Sequence, residues 1–372
     1  MTARRLRQMM LVILAALLGV GIIAVYSTTA LVSDANYGNS LQLLATHLIA
    51  IGCGVALGVG CLMIPYPVVR QSGRWLFLAS VLLLGLVLYF GLEVGGAKRW
   101  FHLGRFSLQP SEFAQLALVL YLSDVLARHA ERLHDFWRGL LPPLAATGLV
   151  AGMVLLQPDL GTAVAMGSVA LLLLGVAKAR WQHLGIIVAI AAVVLVFLVA
   201  GEEYRRRRIL TFLNPWQDPQ GSGYQILQSY YALASGGVLG TGLGGSFQKL
   251  FYLPSAHTDF IFAILGEELG LVGTTAVIGL FALFLICGFR MAMAANDLFS
   301  KYLVAGLIGM LGFEAMINIG VVTGLLPTKG LPLPFISYGG TSMVMNLIAC
   351  ALIFHASRHG EQFNPTESAL GR

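Results

Sequence analysis

The sequence predicts an all-α integral membrane protein, and three observations favour this class. Hydrophobic residues make up 57% of the chain and charged residues only 11%, and the mean hydropathy is +0.81. A soluble domain would carry about a quarter of its residues as charges. The charges here fall between apolar runs of ~20 residues, the length that a helix needs to cross a ~30 Å hydrocarbon core. The 44 glycines are typical of helices that pack closely in lipid.

Ten apolar segments follow one another and predict a bundle of about ten transmembrane helices. They span residues 9–31, 41–64, 75–93, 112–127, 140–157, 160–177, 183–200, 260–289, 302–326 and 337–356. The first segment resembles a signal peptide, but it is long and no clear small-residue cleavage site closes it, so we expect a retained helix. The fourth segment is short and contains Asp124. We interpret residues 1–372 as a single polytopic membrane domain.

Basic residues predict the orientation of the chain in the membrane. Lys and Arg occur at the N-terminus, in residues 65–74, 128–139 and 178–182, between Arg290 and Lys301, and at Arg358. Cations of short loops stay in the cytoplasm, so this pattern predicts a multi-pass protein of the cytoplasmic (inner) membrane with both termini cytoplasmic. The net charge of +6 is explained in this way, and no nucleic-acid partner is expected.

The external side then holds residues 32–40, 94–111, 201–258 and 327–336. The longest, the large external loop 201–258 between helices 7 and 8, contains aromatic residues and a glycine-rich stretch, so we expect it to pack on the bundle and to carry function. Within it, Tyr224 to Leu239 could form an interfacial amphipathic helix.

Several cations of the external segments oppose the usual charge bias. They are Lys98, Arg99, Arg205 to Arg208, Lys249 and Lys329. A cationic rim with an aromatic neighbour such as Trp100 suits a phosphate or pyrophosphate that is attached to a lipid. For Arg205 to Arg208, a solvated or headgroup-facing run is an equally good interpretation.

Acidic residues are scarce, which makes the few external and intramembrane ones informative. Asp259 stands where the eighth apolar segment begins. It is either a helix cap or a general base at the membrane surface. For Asp159, which follows a proline, a cap is the simplest interpretation. Glu314 and Asn318 lie in the ninth segment, where they indicate either a functional site or a buried hydrogen-bonded pair.

The segment 332–340 is broken by prolines and glycines before the last helix, and it contains Ser337. Irregular backbone at membrane depth is tolerated where it is buried in protein or faces a water-filled cavity. With Lys329 nearby, we expect this segment to form one wall of an external cavity. The sequence contains no phosphate loop, zinc-ligand spacing or nucleophile elbow. Its four cysteines lie in apolar runs without metal-ligand spacing.

Motifs along nearly the whole chain resemble the SEDS family (shape, elongation, division and sporulation) of peptidoglycan glycosyltransferases. They are Gly96 to Trp100, Gln109 to Glu112, Gln157 to Thr162, Asn214 to Trp216, Gly223 to Gln225, Tyr252 to Gly270, Lys329 with Gly330, and Ser337 to Gly340. Within the family, Gln248 to Leu250, Ala256 to Asp259 and Pro327 to Gly330 resemble the division branch more than the elongation branch.

The resemblance implies ten helices, polymerisation of lipid II, and a working complex with a class B penicillin-binding protein, the transpeptidase that crosslinks the strands. Other membrane proteins of the division machinery would be further partners. The essential loop aspartate of the family falls on Asp259. Its cationic and aromatic positions fall on Arg99 and Trp100, whereas Lys98 fills a position that varies.

We therefore expect inverting glycosyl transfer in which Asp259 removes a proton from the 4-hydroxyl of the acceptor's N-acetylglucosamine. The candidate substrate-binding residues are Lys98, Arg99, Trp100, Lys249, His257, Lys329 and Ser337. No metal ligands are predicted and no cofactor is assigned, although a divalent cation (Mg or Mn) is compatible with a pyrophosphate substrate.

The sequence is compatible with two other functions. A lipid II flippase is compatible with a polytopic bundle that contains Glu314 and a broken helix, and a scaffold could activate the partner penicillin-binding protein. Two positions depart from the family pattern. Ser255 stands where relatives often have Glu, and Gln115 stands where many have Lys.

Overall fold

The computed structural model describes residues 3–94, 96–103 and 106–362, and most of them are helical. The long helices are α1 Ala3–Tyr37, α2 Gln42–Met63, α3 Tyr66–Phe90, α4 Pro110–Arg128, α5 Leu141–Leu155, α6 Leu160–Val176, α7 Trp181–Ala200, α10 Ile261–Ala294, α11 Leu298–Val322 and α12 Gly340–Gln362. Eight of the described helices are long and apolar enough to cross a membrane, when α5 is counted together with the turn Phe136–Leu140 that precedes it. With α4 and α6, which have 19 and 17 residues, they form the predicted ten-helix bundle of a multi-pass membrane protein.

Successive long helices run in opposite directions, so the bundle has two ends. One end, called here the site end, carries a small sheet, two short helices and the residues before α6, α10 and α12. The other, called the opposite end, carries the connections between α2 and α3, between α4 and α5, between α6 and α7, and between α10 and α11.

A three-stranded antiparallel sheet at the site end departs from the purely helical expectation. Its strands are β1 Leu92–Val94, β2 Ala97–Leu103 and β3 Phe106–Leu108, in the order β1-β2-β3. The register pairs Glu93 with Lys98. Short single-turn helices are Ala130–Arg132, Phe136–Leu140 and Pro215–Gln217.

About half of the loop 201–258 is helical. It contains α8 Glu203–Leu213, which carries the four consecutive arginines, and α9 Tyr224–Gly236. The predicted helix from Tyr224 is confirmed, and it ends at Gly236 because Gly237 has a φ of +52°, a left-handed conformation that favours glycine.

Helix α10, predicted as a single apolar segment, is divided at Gly270. This residue has φ +65° and ψ −163°, and a Cβ atom here would lie 2.4 Å from the backbone nitrogen of Gly240. The loop 201–258 reaches the break through hydrogen bonds from Leu271 N to Gly237 O (2.9 Å) and from Thr241 N to Glu267 O (2.9 Å). The piece of α10 before Gly270 is therefore buried between the loop and the bundle, and the piece after Gly270 is the one that faces lipid.

Helix α11 is the centre of the bundle. In its most apolar stretch 83% of the residues are buried, and it contacts α4, α6, α10 and α12. Helix α7 lies at the periphery of the bundle, because only 6% of its apolar stretch is buried. Its surface is therefore almost entirely available to lipid.

A buried ion pair anchors the loop 201–258 to the bundle. Lys249 Nζ lies 2.8 Å from Glu268 Oε1 on α10, and both side chains are buried. Ser27 of α1 joins them, since Lys249 Nζ donates to its hydroxyl (3.0 Å) and the hydroxyl donates to Glu268 Oε1 (2.6 Å). Glu267 adds a second tie because it accepts a hydrogen bond from Phe247 N at 2.9 Å. These contacts hold the loop against α1 and α10.

Replacing Lys249 with Met is expected to lower the thermal stability of the protein. The substitution leaves the Glu268 carboxylate buried without its cation, and breaking a buried pair in this way costs about 3–5 kcal/mol. Thermal unfolding in detergent micelles measures the effect. Lys98→Met removes a lysine that is exposed on β2 and should leave the unfolding temperature unchanged. Equal unfolding temperatures for the two variants would contradict the proposed anchor.

Candidate active site

A cavity of about 700 Å³ lies at the site end, between β2, the C-terminal part of α7, α8, and the segments before α6, α10 and α12. Its charged lining residues are Arg99, Asp159, Arg205, Arg206, Arg208, Asp259 and Lys329. Five cations thus face two carboxylates. The wall that α7 contributes is apolar and consists of Leu195, Val196, Val199 and Ala200. The cavity therefore joins a cationic surface to an apolar one at the edge of the bundle.

The backbone before α10 is held by three consecutive carbonyl groups. The oxygen of His257 accepts a hydrogen bond from Tyr338 N (2.9 Å), and that of Thr258 accepts one from the Ser337 hydroxyl (2.6 Å). The oxygen of Asp259 accepts one from Asn318 Nδ2 (2.8 Å). These bonds fix the backbone at Asp259 on the broken segment and on α11.

The carboxylate of Asp259 lines the cavity and has no ion pair or hydrogen bond with any residue that the structure describes. It lies against Gly330, where a Cβ atom would be 3.0 Å from Asp259 Oδ2. Burial raises the pKa of Asp259 to about 6, the cations Arg208 and Arg99 oppose the rise, and the Asp159 carboxylate adds to it. Asp259 is therefore a free carboxylate that can take up a proton near neutral pH.

Two arginines of the cavity shape the loops around it. Arg99 donates from Nε to Gln157 O (2.8 Å) and from Nη2 to Pro158 O (2.6 Å), which fixes the turn before α6. Arg208 donates from Nη1 to Thr328 O (3.0 Å) and so fixes the segment that carries Lys329. Each guanidinium keeps further N–H groups for a ligand.

The ammonium group of Lys329 has no hydrogen bond or ion pair with the described residues. Burial lowers the pKa of Lys329, Asp159 opposes the change and Arg208 adds to it. A half-buried cation without a carboxylate partner gains from an anionic ligand.

The interpretation of Asp159 as a helix cap is confirmed. Its Oδ1 accepts a hydrogen bond from Thr162 N (3.1 Å), and its Oδ2 accepts one from the Thr162 hydroxyl (2.8 Å). The same carboxylate also lines the cavity, which the sequence pattern did not indicate.

The candidate residues occupy three different environments. Asp259, Arg99 and Lys329 meet in the cavity. His257 and Ser337 lie beside it and support Asp259. The His257 ring packs edge-on against Tyr338 at 5.7 Å, burial lowers the pKa of His257, and the buried Ser337 hydroxyl also accepts from Leu333 N (2.8 Å).

The remaining candidates do not line the cavity. Lys98 is exposed and Trp100 is half-buried on β2, and Lys249 is paired with Glu268. Among the described residues, no group of three or more His, Cys, Asp or Glu side chains is arranged to hold a metal ion. Within the part of the chain that the structure describes, Asp159 and Asp259 are the residues that offer carboxylates to the cavity.

Two contributors to the site could not be singled out from the sequence. Arg208 belongs to a run of four arginines, three of which line the cavity. The packing of α8 decides that Arg208 is the one that donates to Thr328 O and acts on Asp259. A buried pair with Glu314 is one of the two interpretations of Asn318, but its amide donates to Asp259 O and to Leu331 O (2.7 Å). Glu314 instead accepts a hydrogen bond from Gln115 Nε2 (2.9 Å).

Comparison with known proteins identifies the family. A family described as "Cell cycle protein", which groups FtsW, RodA and SpoVE, matches residues 7–362. The chain belongs to this family. The resemblance to SEDS proteins is therefore confirmed over nearly the whole length of the sequence.

Two curated relatives in the FtsW/RodA/SpoVE family show how close the similarity is. The probable peptidoglycan glycosyltransferase FtsW of Geobacter metallireducens is 40% identical over 339 residues, which are 91% of this chain and 90% of that protein. The stage V sporulation protein E of Bacillus subtilis is 40% identical over 353 residues, which are 94% of this chain and 96% of that protein.

Solved structures of the family share the fold. A chain in a peptidoglycan synthase complex that coordinates polymerization and crosslinking has a TM-score of 0.79 and 32% identity, and the match covers 95% of this chain and 98% of that one. The rod shape determining protein RodA of Thermus thermophilus has a TM-score of 0.69 and 29% identity, with 94% and 95% covered.

Labelling of Asp259 by a hydrophobic carbodiimide, which reacts with protonated carboxyl groups, is expected to be half-maximal near pH 6. Peptide mass spectrometry measures the label. Arg208→Gln should move the midpoint to higher pH because it removes a cation that favours the carboxylate. Asp159→Asn should move it to lower pH because it removes a like charge. A midpoint near the ordinary value of 3.8 in the unsubstituted protein would contradict the raised pKa.

Proposed function

We propose that this protein is a peptidoglycan glycosyltransferase that polymerises lipid II at the outer face of the cytoplasmic membrane, for septal cell-wall synthesis during division. The observation that carries the proposal is the free Asp259 carboxylate with its raised pKa, in a cavity with five cations and an apolar wall. The names of the relatives, which include probable peptidoglycan glycosyltransferases FtsW, support the reaction and the role in division.

In this mechanism Asp259 acts as the general base. The 4-hydroxyl of the acceptor's N-acetylglucosamine attacks the anomeric carbon of the donor sugar, and its proton passes to the Asp259 carboxylate. The bond between that carbon and the pyrophosphate oxygen breaks, and the lipid pyrophosphate leaves with the electron pair. Attack from the face opposite the leaving group inverts the anomeric configuration. A pKa of about 6 keeps the base mostly deprotonated at pH 7 and still able to accept a proton.

The two walls of the cavity would bind different parts of the substrate. Arg99, Arg208 and Lys329 face the space beside Asp259 and would hold the pyrophosphate as its negative charge grows in the transition state. The apolar wall of α7 continues toward lipid and suits the hydrocarbon chain of the substrate. A lipid-linked pyrophosphate fits both walls, whereas a soluble sugar nucleotide would leave the α7 wall without an apolar partner.

The other candidate residues are proposed to have different roles. Lys98 and Trp100 on β2 are proposed to contact portions of the substrate that extend beyond the cavity. His257 and Ser337 are assigned to holding the Asp259 backbone. Lys249 would act on the substrate only through the loop that it anchors, because its ammonium group is engaged by Glu268.

The working complex is proposed to include a class B penicillin-binding protein and other membrane proteins of the division machinery. The similarity to a chain of a solved peptidoglycan synthase complex supports such a partner. Arg70, Arg128 and Arg290 at the opposite end of the bundle favour placing that end, with both termini, in the cytoplasm of the inner membrane.

Asp259→Asn is expected to reduce polymer formation by about 10²–10⁴-fold, the usual contribution of a general base, while the protein stays folded. The assay uses purified lipid II and the protein reconstituted with its partner, whose transpeptidase is blocked by a β-lactam. The matched control is Asp34→Asn, the same change at an exposed position at the site end of α1. Full polymer formation by folded Asp259→Asn protein would overturn the role of Asp259.

The same reconstitution separates the alternative functions. Movement of lipid II between leaflets without polymer would favour a flippase, and polymer made by the partner alone would favour a scaffold.

Arg208→Gln is expected to lower kcat/KM for lipid II by about 10–100-fold, because a hydrogen bond to a charged group is worth about 1.5–3 kcal/mol. It should also shift the rise of activity with pH to higher pH, since Arg208 lowers the pKa of Asp259. Arg207→Gln is the matched control, because Arg207 is the next residue of the same helix, is exposed and does not line the cavity. Equal losses in the two variants would show a general charge effect.

A further inference from the structure

A second group of cations lies at the opposite end of the bundle, around the buried carboxylate of Asp124. Arg128 donates from Nε to both of its oxygens (2.9 and 2.8 Å), and Arg70 donates from Nε to Oδ1 (2.9 Å). Arg74 approaches to 3.8 Å. Within the described part of the chain, these three arginines form ion pairs with no other carboxylate. Three positive charges therefore surround one negative charge.

Arg74 is the member of this group whose hydrogen-bonding capacity is unused. At 3.8 Å its contact with Asp124 is too long for a hydrogen bond, and its side chain is 55% exposed. No hydrogen bond joins its guanidinium to another described residue. Asp124, with only 1% of its side chain exposed, is already satisfied by the other two arginines.

Close packing of α3 on α4 creates this arrangement. A Cβ atom at Gly73 would lie 3.3 Å from the carbonyl group of Leu120, so the glycine brings the two helices together beside Asp124. On α3, Gln71, Arg74, Trp75 and Leu78 then share one exposed face, since their spacing follows the turns of a helix.

These four residues and Arg128 line a cavity of about 570 Å³. Chain direction orders its lining from water toward lipid, because α3 starts at this end of the bundle. Gln71 and the guanidinium groups come first, and Trp75, which is 75% exposed, is level with them. Leu78 lies one turn deeper. Hydrogen-bond donors with an indole at their level and an aliphatic side chain one turn deeper match a phospholipid with its phosphate outside and its acyl chain inside.

We propose that the cavity between α3 and α4 binds the headgroup of an anionic phospholipid, with Arg74 and Arg128 holding the phosphate and Trp75 and Leu78 contacting the first part of an acyl chain. The site is separate from the active-site cavity, since it lies at the other end of α3 and α4. It is also independent of the proposed glycosyl transfer. Its ligand is a membrane component of the leaflet at this end of the bundle.

A lipid is favoured over a soluble anion by the lining itself. Free phosphate would use only the guanidinium groups and would leave the exposed Trp75 and Leu78 without a partner. An acidic segment of another protein would likewise use the arginines, but Leu78 lies on the lipid-facing surface of α3 below the level of the charges.

Native mass spectrometry of the purified full-length protein can test the proposal. The probes are phosphatidylglycerol, phosphatidylcholine with the same acyl chains, and inorganic phosphate alone. The unsubstituted protein should retain phosphatidylglycerol about fivefold better than phosphatidylcholine, since one arginine near a membrane surface contributes about that factor. Arg74→Gln should abolish this preference. Arg290→Gln, the control, removes an exposed cation from α10 at the same end and should preserve it.

A second variant, Trp75→Leu, keeps all charges and alters an exposed side chain, so it should fold normally and retain less phosphatidylglycerol. Equal loss in Arg74→Gln and Arg290→Gln would overturn the proposal in favour of general surface charge. Release of the lipid by inorganic phosphate would indicate a free-phosphate site. Unchanged lipid retention in both Arg74→Gln and Trp75→Leu would also overturn it and leave the cavity to an acidic protein segment.

Discussion

The three hydrogen bonds to the carbonyls of residues 257–259 are the constraint on which the site depends. Backbone groups that are removed from water must find partners within the protein, and here the partners come from two distant elements, α11 and the broken segment before α12. The bonds therefore join three parts of the fold at one point. Because the backbone is fixed from the bundle side, the Asp259 side chain is left to the cavity and to the small space beside Gly330.

The cations around Asp259 serve the fold as well as the cavity. Arg99 and Arg208 each donate to a loop carbonyl, so the loops that carry Asp159 and Lys329 are held by the same groups that face the ligand. This sharing keeps the guanidinium groups in place before a substrate arrives, which lowers the cost of organising them during the reaction. Lys329 has no such tie among the described residues. Its charge is therefore available to a ligand on a flexible side chain.

The sequence predicts the bundle well because length and hydropathy determine which segments can cross a membrane. The structure places Asp259, Arg99 and Lys329, three residues that the family motifs single out, along one cavity. The sequence does not predict contacts between residues that are far apart in the chain. Nothing near Lys249 indicates that Ser27 and Glu268 will enclose its ammonium group. The rotation of α8, which brings Arg208 to Thr328 O, also depends on tertiary packing. The same holds for the formation of the three-stranded sheet.

The two ends of the bundle hold aspartates in contrasting environments. Asp124 is buried, and both of its oxygens accept hydrogen bonds from Arg128, with a further one from Arg70 to Oδ1. Asp259 has cations nearby but no direct partner in the described chain, so burial prevails and its pKa rises to about 6. Moving either Arg99 or Arg208 into contact with Asp259 would stabilise the carboxylate and weaken it as a base. The loop carbonyls that hold those two arginines therefore protect the basicity of Asp259.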